Sequence, residues 1–410
     1  MKILIVSQYF WPENFRINDL AAGLVERGHE VTVLTGLPNY PDGHFFPGYG
    51  FFKNLKQDFW GVKVIRVPLI PRGAATGFLL AVNYFSFMVS AGILAPFLCR
   101  GKFDIIFVCQ LSPVTVGIPA VLLKKIKKIP ILFWIQDLWP ESLSATGAVR
   151  SQGILNAVRR LVQFIYRHCD KILVQSNAFI PMIEDQGVEI ERIAYFPNSV
   201  EKIYKPVIGQ SRSDFEELSS LPSGFRIMFA GNIGAAQDFE TILSAAEKLR
   251  EYKDIHWIIL GDGRARPWVE NQIMARGLSD FVHILGRHPM ETMPLYFSLA
   301  DVMLVTLKSE PIFALTIPGK IQSYMACGRP IVAALDGEGA KQVNDSGAGL
   351  TCPAEDVDGL AAAILKICKM SREELEAMGK RGIQYCEANF EREILLTRLE
   401  GWLEEFTSST

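Results

Sequence analysis

The chain has 410 residues, of which 49% are hydrophobic and 21% are charged, and these values exclude a disordered or collagen-like protein. The length predicts about two domains. The net charge of −2 is unevenly distributed, since the first 200 residues carry 20 Lys and Arg against 14 Asp and Glu. The first half is therefore the better candidate to meet an anionic surface.

The cysteines and the N-terminal residues indicate in which cellular compartment the protein works. The seven cysteines are scattered, with no CxxC pair and no Cys/His cluster, so neither a disulfide framework nor a zinc site is indicated. The start, MKILIVSQYF, is a strand-length apolar run without the charged region and longer apolar core of a signal peptide. Both features predict a cytoplasmic protein.

Thirteen short apolar runs alternate with helical patterns along the chain. In chain order they are KILIVS, VTVLTG, VKVIRVPL, FDIIFVC, IPILFWI, KILVQS and IAYFP, then FRIMFAGN, IHWIILGDG, FVHILG, DVMLVTL, PIVAAL and AGLTC. Near-continuous Val, Ile and Leu runs are typical of strands buried on both faces of a parallel sheet. The pattern predicts an α/β protein with two Rossmann-like, doubly wound domains.

The alternation breaks between residues 198 and 224, where serine, proline and glycine accumulate as in an interdomain connection. We expect the first domain at 1–200, a linker at 201–224 and the second domain at 225–387. Ligands of such sheets bind at the carboxyl ends of the strands, so the loops there are the candidate sites.

Glycine turns distinguish the two domains. The first strand is followed by QYFWPENFR, which has no glycine, so the GxGxxG turn of nicotinamide-dependent enzymes is absent. In the second domain, the turns 231–234 (GNIG) and 261–263 (GDG) each lie between a strand and a helix. Such turns present backbone N–H groups at the positive end of a helix, where phosphate binds, although tight βα turns also use glycine without any ligand.

Lys320 lies in the stretch EPIFALTIPGKIQSYMACGRPIV, between an apolar strand and a helix that should begin near Ile321. Thr316 and Pro318 shape the preceding turn. A lysine is electrostatically unfavourable at a helix start. This placement favours a functional ammonium, one that reaches a diphosphate at the helix N-terminus, over a solvated side chain.

The segment 77–98, GFLLAVNYFSFMVSAGILAPFL, is apolar enough to raise the question of a membrane span. Spanning would disrupt a domain whose strands continue on both sides. We expect instead a helix that exposes an apolar face beside the cationic run LLKKIKKIP at 122–130 and docks reversibly on an anionic bilayer. A plain core helix and a solvated lysine run are the alternatives.

Several spaced motifs together resemble the family 4 glycosyltransferases of the GT-B fold. They are residues 2–36, FPNSVE at 196–201, FAGNIGAAQDFETILSAAEKL at 229–249, GDG at 261–263 and PGKIQSYMACGRPIVA at 318–333. The similarity runs over nearly the whole chain and is nearest to the WbuB-like branch, which resembles L-fucosaminyltransferases of bacterial surface-polysaccharide biosynthesis. It implies an N-terminal acceptor domain and a C-terminal nucleotide-sugar domain that face each other across a cleft, with a final helix at 388–410 that crosses back to the first domain.

The resemblance also implies an activity. It is a retaining, metal-independent transfer of a sugar from a UDP-linked nucleotide sugar to a lipid-diphosphate-linked sugar acceptor in O-antigen assembly, with N-acetyl-L-fucosamine as the candidate sugar. No cofactor is implied beyond the nucleotide sugar, and no nucleic-acid partner. The enzyme would work in the cytoplasm, peripherally on the inner face of the plasma membrane.

On this resemblance, Lys320 and Glu310 are expected to act in catalysis at the donor. The residues expected to bind the donor are Gly231, Asn232, Gly234, Gln237, Gly261, Gly263, Arg264, Ala314, Leu315, Thr316 and Ser323.

The chain departs from the family pattern at two places. Many members carry two glutamates eight residues apart, whereas this chain has Leu315 and Ser323 there. The familiar arginine and lysine after the first glycine turn appear as Asn232 and Gln237. Fewer cations remain for the diphosphate, so Lys320 and Arg264 are expected to carry more of its binding.

Three residues of the first domain are acceptor-side candidates. Glu13 and Arg16, in PENFR at 12–16, either bind the acceptor or belong to a polar surface turn. Asp137, in WIQDLWPES at 134–142, is expected to orient an acceptor hydroxyl as a catalytic group, although bracing a loop or capping a helix would equally explain it.

Two other classes of function remain compatible with the sequence. A sugar-nucleotide 2-epimerase shares the two-domain architecture but needs carboxylates and histidines for proton abstraction, and the donor region offers only Glu310 and His288. A non-catalytic sugar-nucleotide-binding protein is favoured by the absent glutamate pair. Incubation with nucleotide sugar alone would reveal an epimerase, and turnover onto a lipid extract would reveal a transferase.

Overall fold

A computed structural model describes residues 1–145, 149–207 and 221–407 of the chain. The chain divides into two compact units, residues 1–198 with 395–410, and residues 199–394. The first break lies two residues before the predicted end of the first domain. The expected linker, 201–224, falls largely on residues 208–220, outside the described part, and residues 201–207 belong to the second unit.

The first unit is built on one sheet of eight strands. Its elements are β1 (Lys2–Val6), α1 (Arg16–Glu26), β2 (Glu30–Gly36), β3 (Lys56–Phe59), β4 (Val62–Val67), α2 (Gly77–Leu98), β5 (Ile105–Gln110), α3 (Gly117–Lys127), β6 (Ile131–Ile135), α4 (Glu141–Ala145), α5 (Gln152–His168), β7 (Lys171–Val174), α6 (Phe179–Glu184) and β8 (Ile193–Tyr195). The strand order is β3-β4-β2-β1-β5-β6-β7-β8. Every pairing is parallel except β3 with β4.

The edge strand β3 is the one strand that the apolar pattern does not predict. Its sequence, KQDF, is polar, and its residues are only half-buried or exposed. A two-residue turn at Trp60 and Gly61, both at positive φ, joins it to β4 as a hairpin. A strand at a sheet edge needs no continuous apolar run, so hydrophobicity gives no signal for it.

The second unit has a six-stranded, wholly parallel sheet. Its elements are β9 (Phe225–Ala230), α7 (Phe239–Lys248), β10 (Ile255–Leu260), α8 (Arg266–Ala275), β11 (Val282–Gly286), α9 (Met293–Leu299), β12 (Val302–Thr306), α10 (Pro311–Ala314), α11 (Gly319–Ala326), β13 (Ile331–Ala334), α12 (Gly337–Ser346), β14 (Gly349–Cys352), α13 (Val357–Cys368) and α14 (Arg372–Phe390). The strand order is β11-β10-β9-β12-β13-β14. The prediction of two Rossmann-like parallel-sheet domains is confirmed.

The last helix, α15 (Arg392–Thr407), begins in the second unit and ends in the first. Its side chains Leu395, Leu396, Leu399 and Leu403 are buried in the core of the first unit. The helix starts four residues later than predicted, because Glu391 adopts an extended conformation and separates it from α14. The apolar face of α15 thus completes the first unit.

Helix α2 is exposed to an unusual degree for so apolar a segment. Within the described residues it is the one helix long and apolar enough to cross a membrane, judged by length and composition alone, and only 22% of its most apolar window is buried. Phe78, Phe85, Ile93 and Phe97 are each more than 60% exposed. A core helix would bury such side chains.

Candidate functional site

The carboxyl ends of β9 and β10 carry the two predicted glycine turns, and these turns pack against each other. Gly231 follows β9 and Gly261 follows the neighbouring parallel strand β10. The Gly231 N–H donates to the carbonyl of Leu260 at 2.8 Å. A Cβ on Gly261, whose φ is +145°, would lie 1.8 Å from the Gly231 oxygen. Gly261 is therefore needed for packing, whatever the turns bind.

The second glycine of each turn, Gly234 or Gly263, also lacks room for a side chain. The Ile233 N–H donates to the carbonyl of Asp262 at 2.8 Å. A Cβ on Gly263 would lie 2.3 Å from the Ile233 oxygen, and one on Gly234 would lie 2.5 Å from the side-chain nitrogen of Asn232. The two turns therefore form one interlocked structure at the sheet edge, with Asn232 exposed on it.

Lys320, the second residue of α11, extends beneath the first of these turns. Its Nζ donates to Gln237 Oε1 at 2.6 Å and lies 3.7 Å from the centroid of the Phe229 ring. A Cβ on Gly231 would approach Lys320 Cε to 2.8 Å. The structure thus brings together three residues that the sequence analysis assigned to the donor: Gly231, Gln237 and Lys320.

The Lys320 ammonium lacks a compensating charge. Among the described residues, no Asp or Glu oxygen lies within 4.0 Å of its Nζ, and Gln237 supplies a neutral acceptor. Burial lowers the pKa of Lys320 from 10.5 to about 7. A half-buried cation without an anion is unfavourable in the free protein, so this position favours the arrival of an anionic group.

A cavity of about 550 Å³ opens at the same edge. It is lined by Gly231, Asn232, Leu260, Gly261, Asp262, Gly263, Arg287, His288 and Met293. This volume lies within the range of about 300–1,000 Å³ that small-molecule sites occupy.

The basic residue that lines this cavity is not the one predicted from the sequence. Arg264, proposed to assist Lys320, is exposed just before α8 and does not line the cavity, whereas Arg287 does. Within the described ranges, Arg287 makes no hydrogen bond or ion pair. It follows β11, the strand next to β10, and so reaches the same sheet edge. A basic residue directly after a predicted strand is the signal that would have identified it.

The loop that follows β12 holds four more of the expected donor-side residues. Glu310 is exposed and precedes the one-turn helix α10 as its N-cap residue. Ala314, Leu315 and Thr316 are half-buried, and the Thr316 hydroxyl donates to the carbonyl of Phe313 at 3.0 Å. The Ala314 oxygen lies so close to Gly337, at the start of α12, that a Cβ there would approach it to 2.0 Å.

Ser323, at the position of the second family glutamate, is buried in α11. Its hydroxyl donates to the carbonyl of Gly319 at 3.2 Å, which is a bond within the helix. The neighbouring Gln322 is buried as well. Ser323 does not line the cavity of the second unit, so the structure does not bring this residue to the glycine turns.

The structure places Glu13 in the interior of the first unit rather than at a surface. The residue is 2% exposed, and its Oε1 accepts the backbone N–H groups of Asn39 and Tyr40, each at 2.7 Å. Burial raises the pKa of this carboxyl to about 7. These contacts fix the loop after β2, and the sequence could not show them because the partners lie 26 and 27 residues away. Arg16 begins α1 beside it and is half-buried.

Asp137 follows β6 and is half-buried. Its Oδ2 accepts the indole N–H of Trp139 at 3.1 Å. Burial raises the pKa of the carboxyl, and hydrogen bonds from the side chains of Ser142, Trp139 and Ser112 oppose the shift. The carboxylate thus braces its own loop, which was one of the alternatives for this residue.

Side-chain amides lie at or just beyond the carboxyl ends of five adjacent strands of the first sheet, and they form a row that was not predicted from the sequence. They are Gln8, Gln110, Gln136, Gln175 and Asn198. Asn198 Nδ2 donates to Gln136 and Gln175, and Gln110 Nε2 donates to the Asp137 carbonyl at 2.8 Å. The row holds neighbouring loops together. The sequence feature that would have predicted this row is the recurrence of Gln directly after apolar runs.

Comparison with known families agrees with this architecture. A family model described as a glycosyl transferase 4-like domain matches residues 14–199, and one described as glycosyl transferases group 1 matches residues 224–370. The first match covers residues of the first unit and extends by one residue, Ser199, into the second unit. The second match lies entirely within the second unit. The chain therefore belongs to the glycosyltransferases of the GT-B fold.

Individual relatives are identical to this chain at only about a quarter of the aligned positions. WbjE of Pseudomonas aeruginosa, described as a glycosyltransferase, is 26% identical over 61% of this chain and 62% of its own length. WcaI of Escherichia coli K12, described as a colanic acid biosynthesis glycosyl transferase, is 25% identical over 80% of this chain and 82% of its own. The match thus spans less than two thirds of WbjE.

Solved structures support the fold alone, since their sequence identities are low. HepE of Anabaena, crystallised with UDP, superposes with a TM-score of 0.73 at 18% identity over 99% of this chain and 100% of its own. Sucrose-phosphate synthase of Thermosynechococcus elongatus gives a TM-score of 0.74 at 17% identity over 100% and 99% of the two chains.

Proposed function

We propose that the protein transfers a sugar from a UDP-linked donor to a lipid-diphosphate-linked sugar acceptor during surface-polysaccharide assembly. The second unit binds the donor, with its diphosphate at the interlocked turns after β9 and β10 and near the N-terminus of α11. Lys320 neutralises the charge that grows on the departing UDP, and Arg287 supplies the second cation.

The observation that carries this proposal is the state of Lys320. Its ammonium lies beneath Gly231, packs on Phe229 and has only the neutral Gln237 as its hydrogen-bond acceptor. A diphosphate would give this cation the charged partner that it lacks among the described residues. Stabilisation of a leaving group by a preorganised donor is worth about 3 kcal/mol of activation free energy.

UDP as the carrier is supported by HepE, which has this fold and whose crystal structure contains UDP. The polysaccharide setting is supported by WcaI, which is described as acting in colanic acid biosynthesis. Transfer of N-acetyl-L-fucosamine, a role in O-antigen assembly, retention at the sugar carbon and independence of metal ions complete the proposal, and they follow from the resemblance to the WbuB-like branch. An acceptor hydroxyl would then attack on the face from which UDP leaves.

We place the enzyme at the inner surface of the plasma membrane, with α2 in contact with the lipid. α2 has no charged residue, and α3, which contacts both α2 and α5, carries Lys124, Lys125 and Lys127. None of these three helices contains Asp or Glu in its sequence. Lys124 is paired with Asp170, so Lys125 and Lys127 are the cations of α3 without an acidic partner among the described residues. An exposed apolar surface beside such cations is the combination that an anionic bilayer attracts.

The test is transfer of radiolabel from UDP-sugars to a bacterial lipid extract, with and without EDTA. The proposal expects label in the lipid phase, undiminished by EDTA, and the same sugar anomer in donor and product. Label that stays in the aqueous phase as an isomerised nucleotide sugar would identify an epimerase. Binding of UDP without any turnover would identify a non-catalytic binding protein.

A further inference from the structure

A second cavity lies within the first unit, between α2 and α5. Its volume is about 420 Å³, again within the range of about 300–1,000 Å³ of small-molecule sites. The residues that line it come from α2, from the loops after β5 and β6, from α4, from Val149 before α5, and from α5 itself. They are Gly77, Leu80, Ala81, Tyr84, Phe85, Ser112, Thr115, Asp137, Trp139, Ser142, Leu143, Val149, Ile154 and Val158.

The wall of this cavity is apolar and aromatic. Tyr84 and Trp139 meet edge to face, with ring centroids 6.3 Å apart. The indole N–H of Trp139 is already donated to Asp137, and that carboxylate also receives the hydroxyls of Ser112 and Ser142. The polar groups around Asp137 therefore bond to one another. The hydroxyl of Thr115, also in the lining, is buried without a hydrogen-bond partner among the described residues, and the rest of the wall is mainly apolar.

The mouth of the cavity is apolar as well. Phe85 and Ile154, which line it, are 62% and 54% exposed. The exposed side chains continue along α2 to Ile93 and Phe97. A cavity that opens onto such a surface can be entered by an apolar chain without crossing a polar rim.

We propose that this cavity binds the hydrocarbon chain of an amphiphilic substrate. The inference rests on the proposed function, because it assigns a binding site to the lipid part of the acceptor. A diphosphate does not fit, since no Lys or Arg lines the cavity among the described residues and Asp137 would repel an anion. A sugar does not fit well either, because it needs several available hydrogen-bonding partners. In this proposal, Asp137 forms part of the cavity wall and is not a catalytic residue.

Binding can be measured on the full-length protein without knowledge of the natural acceptor. The probe is dodecyl β-D-glucoside, titrated calorimetrically below its critical micelle concentration, with methyl β-D-glucoside as the chainless control. We expect one saturable site for the dodecyl compound and no heat from the methyl compound. Equal binding of both compounds would overturn the assignment to a chain, and no binding of either would remove the site.

Two matched substitutions on α2 locate the site. Ala81→Trp fills the cavity from its lining and should weaken binding of dodecyl β-D-glucoside at least tenfold. Val89→Trp lies on the same helix, 39% exposed and outside the cavity, and should leave the affinity unchanged. If Ala81→Trp binds like wild type, or if Val89→Trp loses as much, the chain does not occupy the cavity.

Stabilisation by UDP provides the remaining control. Both variants should keep the wild-type increase in melting temperature with UDP, which shows that they fold and that the donor site is intact. A protein that binds UDP but not the dodecyl compound would refute the chain site alone. One that binds the dodecyl compound but not UDP would refute the proposed donor.

Discussion

Lys320 places its ammonium nitrogen 3.7 Å from the centroid of the Phe229 ring, inside the second unit and beneath the turn that begins at Gly231. The aromatic face offsets part of the cost of burial. Burial still lowers the pKa to about 7, because neither the ring nor the Gln237 amide carries a negative charge. Below about pH 7, the free protein therefore holds a cation whose full stabilisation awaits an anion.

Replacement of Lys320 by methionine should remove the charge while keeping most of the side-chain volume. We expect turnover to fall about a hundredfold, close to 3 kcal/mol of activation free energy. The melting temperature of the free protein should not fall, since an uncompensated buried charge is lost. Initial rates and thermal unfolding check both expectations. Lys308→Met, an exposed lysine after β12, is the matched control and should keep wild-type turnover. Equal rates for wild type and Lys320→Met would exclude Lys320 from the mechanism.

The lowered pKa of Lys320 predicts proton uptake on UDP binding. At pH 8, the Lys320 amine of the free protein is mostly neutral, and a bound diphosphate raises its pKa, so binding should take up close to one proton. Calorimetric titrations at pH 8 in two buffers of different ionisation enthalpy measure this number. Lys320→Arg should bind UDP without uptake, because arginine stays protonated. A wild-type binding enthalpy that is independent of the buffer would contradict the assignment.

The same group affects folding stability in a defined direction. The pKa of Lys320 is about 7 in the folded protein and about 10.5 in the unfolded chain. The unfolded chain therefore binds more protons between these values, and the contribution of Lys320 to stability rises with pH across that window. Below about pH 7, its full cost remains. Urea unfolding of wild type and Lys320→Met should show the difference between them narrowing from pH 7 to pH 9.

Gly261→Ala should disrupt both glycine turns, because its Cβ would approach the Gly231 oxygen to 1.8 Å and the backbone has a φ of +145°. We expect a loss of about 1–3 kcal/mol in the free energy of unfolding and a marked loss of UDP affinity. Urea denaturation and UDP titration measure these effects. Gly401→Ala, in α15 with no atom within 4 Å of the added Cβ, should be neutral or slightly stabilising. Wild-type stability of Gly261→Ala would show that the turns do not interlock.

The sequence predicted most of the fold because its strands are buried on both faces. Thirteen of the fourteen strands in the described residues coincide with apolar runs. The exception, β3, was not predicted because an edge strand such as KQDF does not need apolar residues. The start of α15 was placed four residues early. No change in hydrophobic pattern marks the boundary at Glu391, which the backbone conformation alone reveals.

The site was predicted less completely, for reasons of geometry. The contact of Lys320 with Gln237 joins two residues that were both assigned to the donor. Glu13 was expected either at the acceptor or in a polar surface turn, and the structure buries it against Asn39 and Tyr40. Arg264 was chosen because it adjoins the second glycine turn in sequence. Arg287 reaches the cavity because β11 neighbours β10, and strand order is not readable from the chain.

Arg287 and Arg264 can be separated by parallel substitutions. Arg287→Ala should weaken UDP binding about tenfold, or about 1.4 kcal/mol, because this guanidinium lines the cavity of the second unit. Arg264→Ala should change the affinity less than twofold, since this exposed side chain lies outside the lining. Calorimetric titration with UDP compares the two, and the difference should shrink at high salt as exposed charges are screened. A larger loss for Arg264→Ala would restore the assignment made from the sequence.

Membrane binding should depend on the exposed apolar side chains of α2. Ile93→Ser combined with Phe97→Ser removes two side chains that are 61% and 63% exposed and lie outside the cavity between α2 and α5. We expect co-sedimentation with phosphatidylglycerol vesicles to fall several-fold, because burying apolar area contributes about 25 cal/mol per Å². Met274→Ser, 64% exposed on α8 of the second unit, is the matched control and should sediment like wild type. Wild type should bind phosphatidylcholine vesicles weakly, since these lack the net negative charge that attracts the lysines of α3. If the double variant sediments as wild type does, the bilayer contact lies elsewhere.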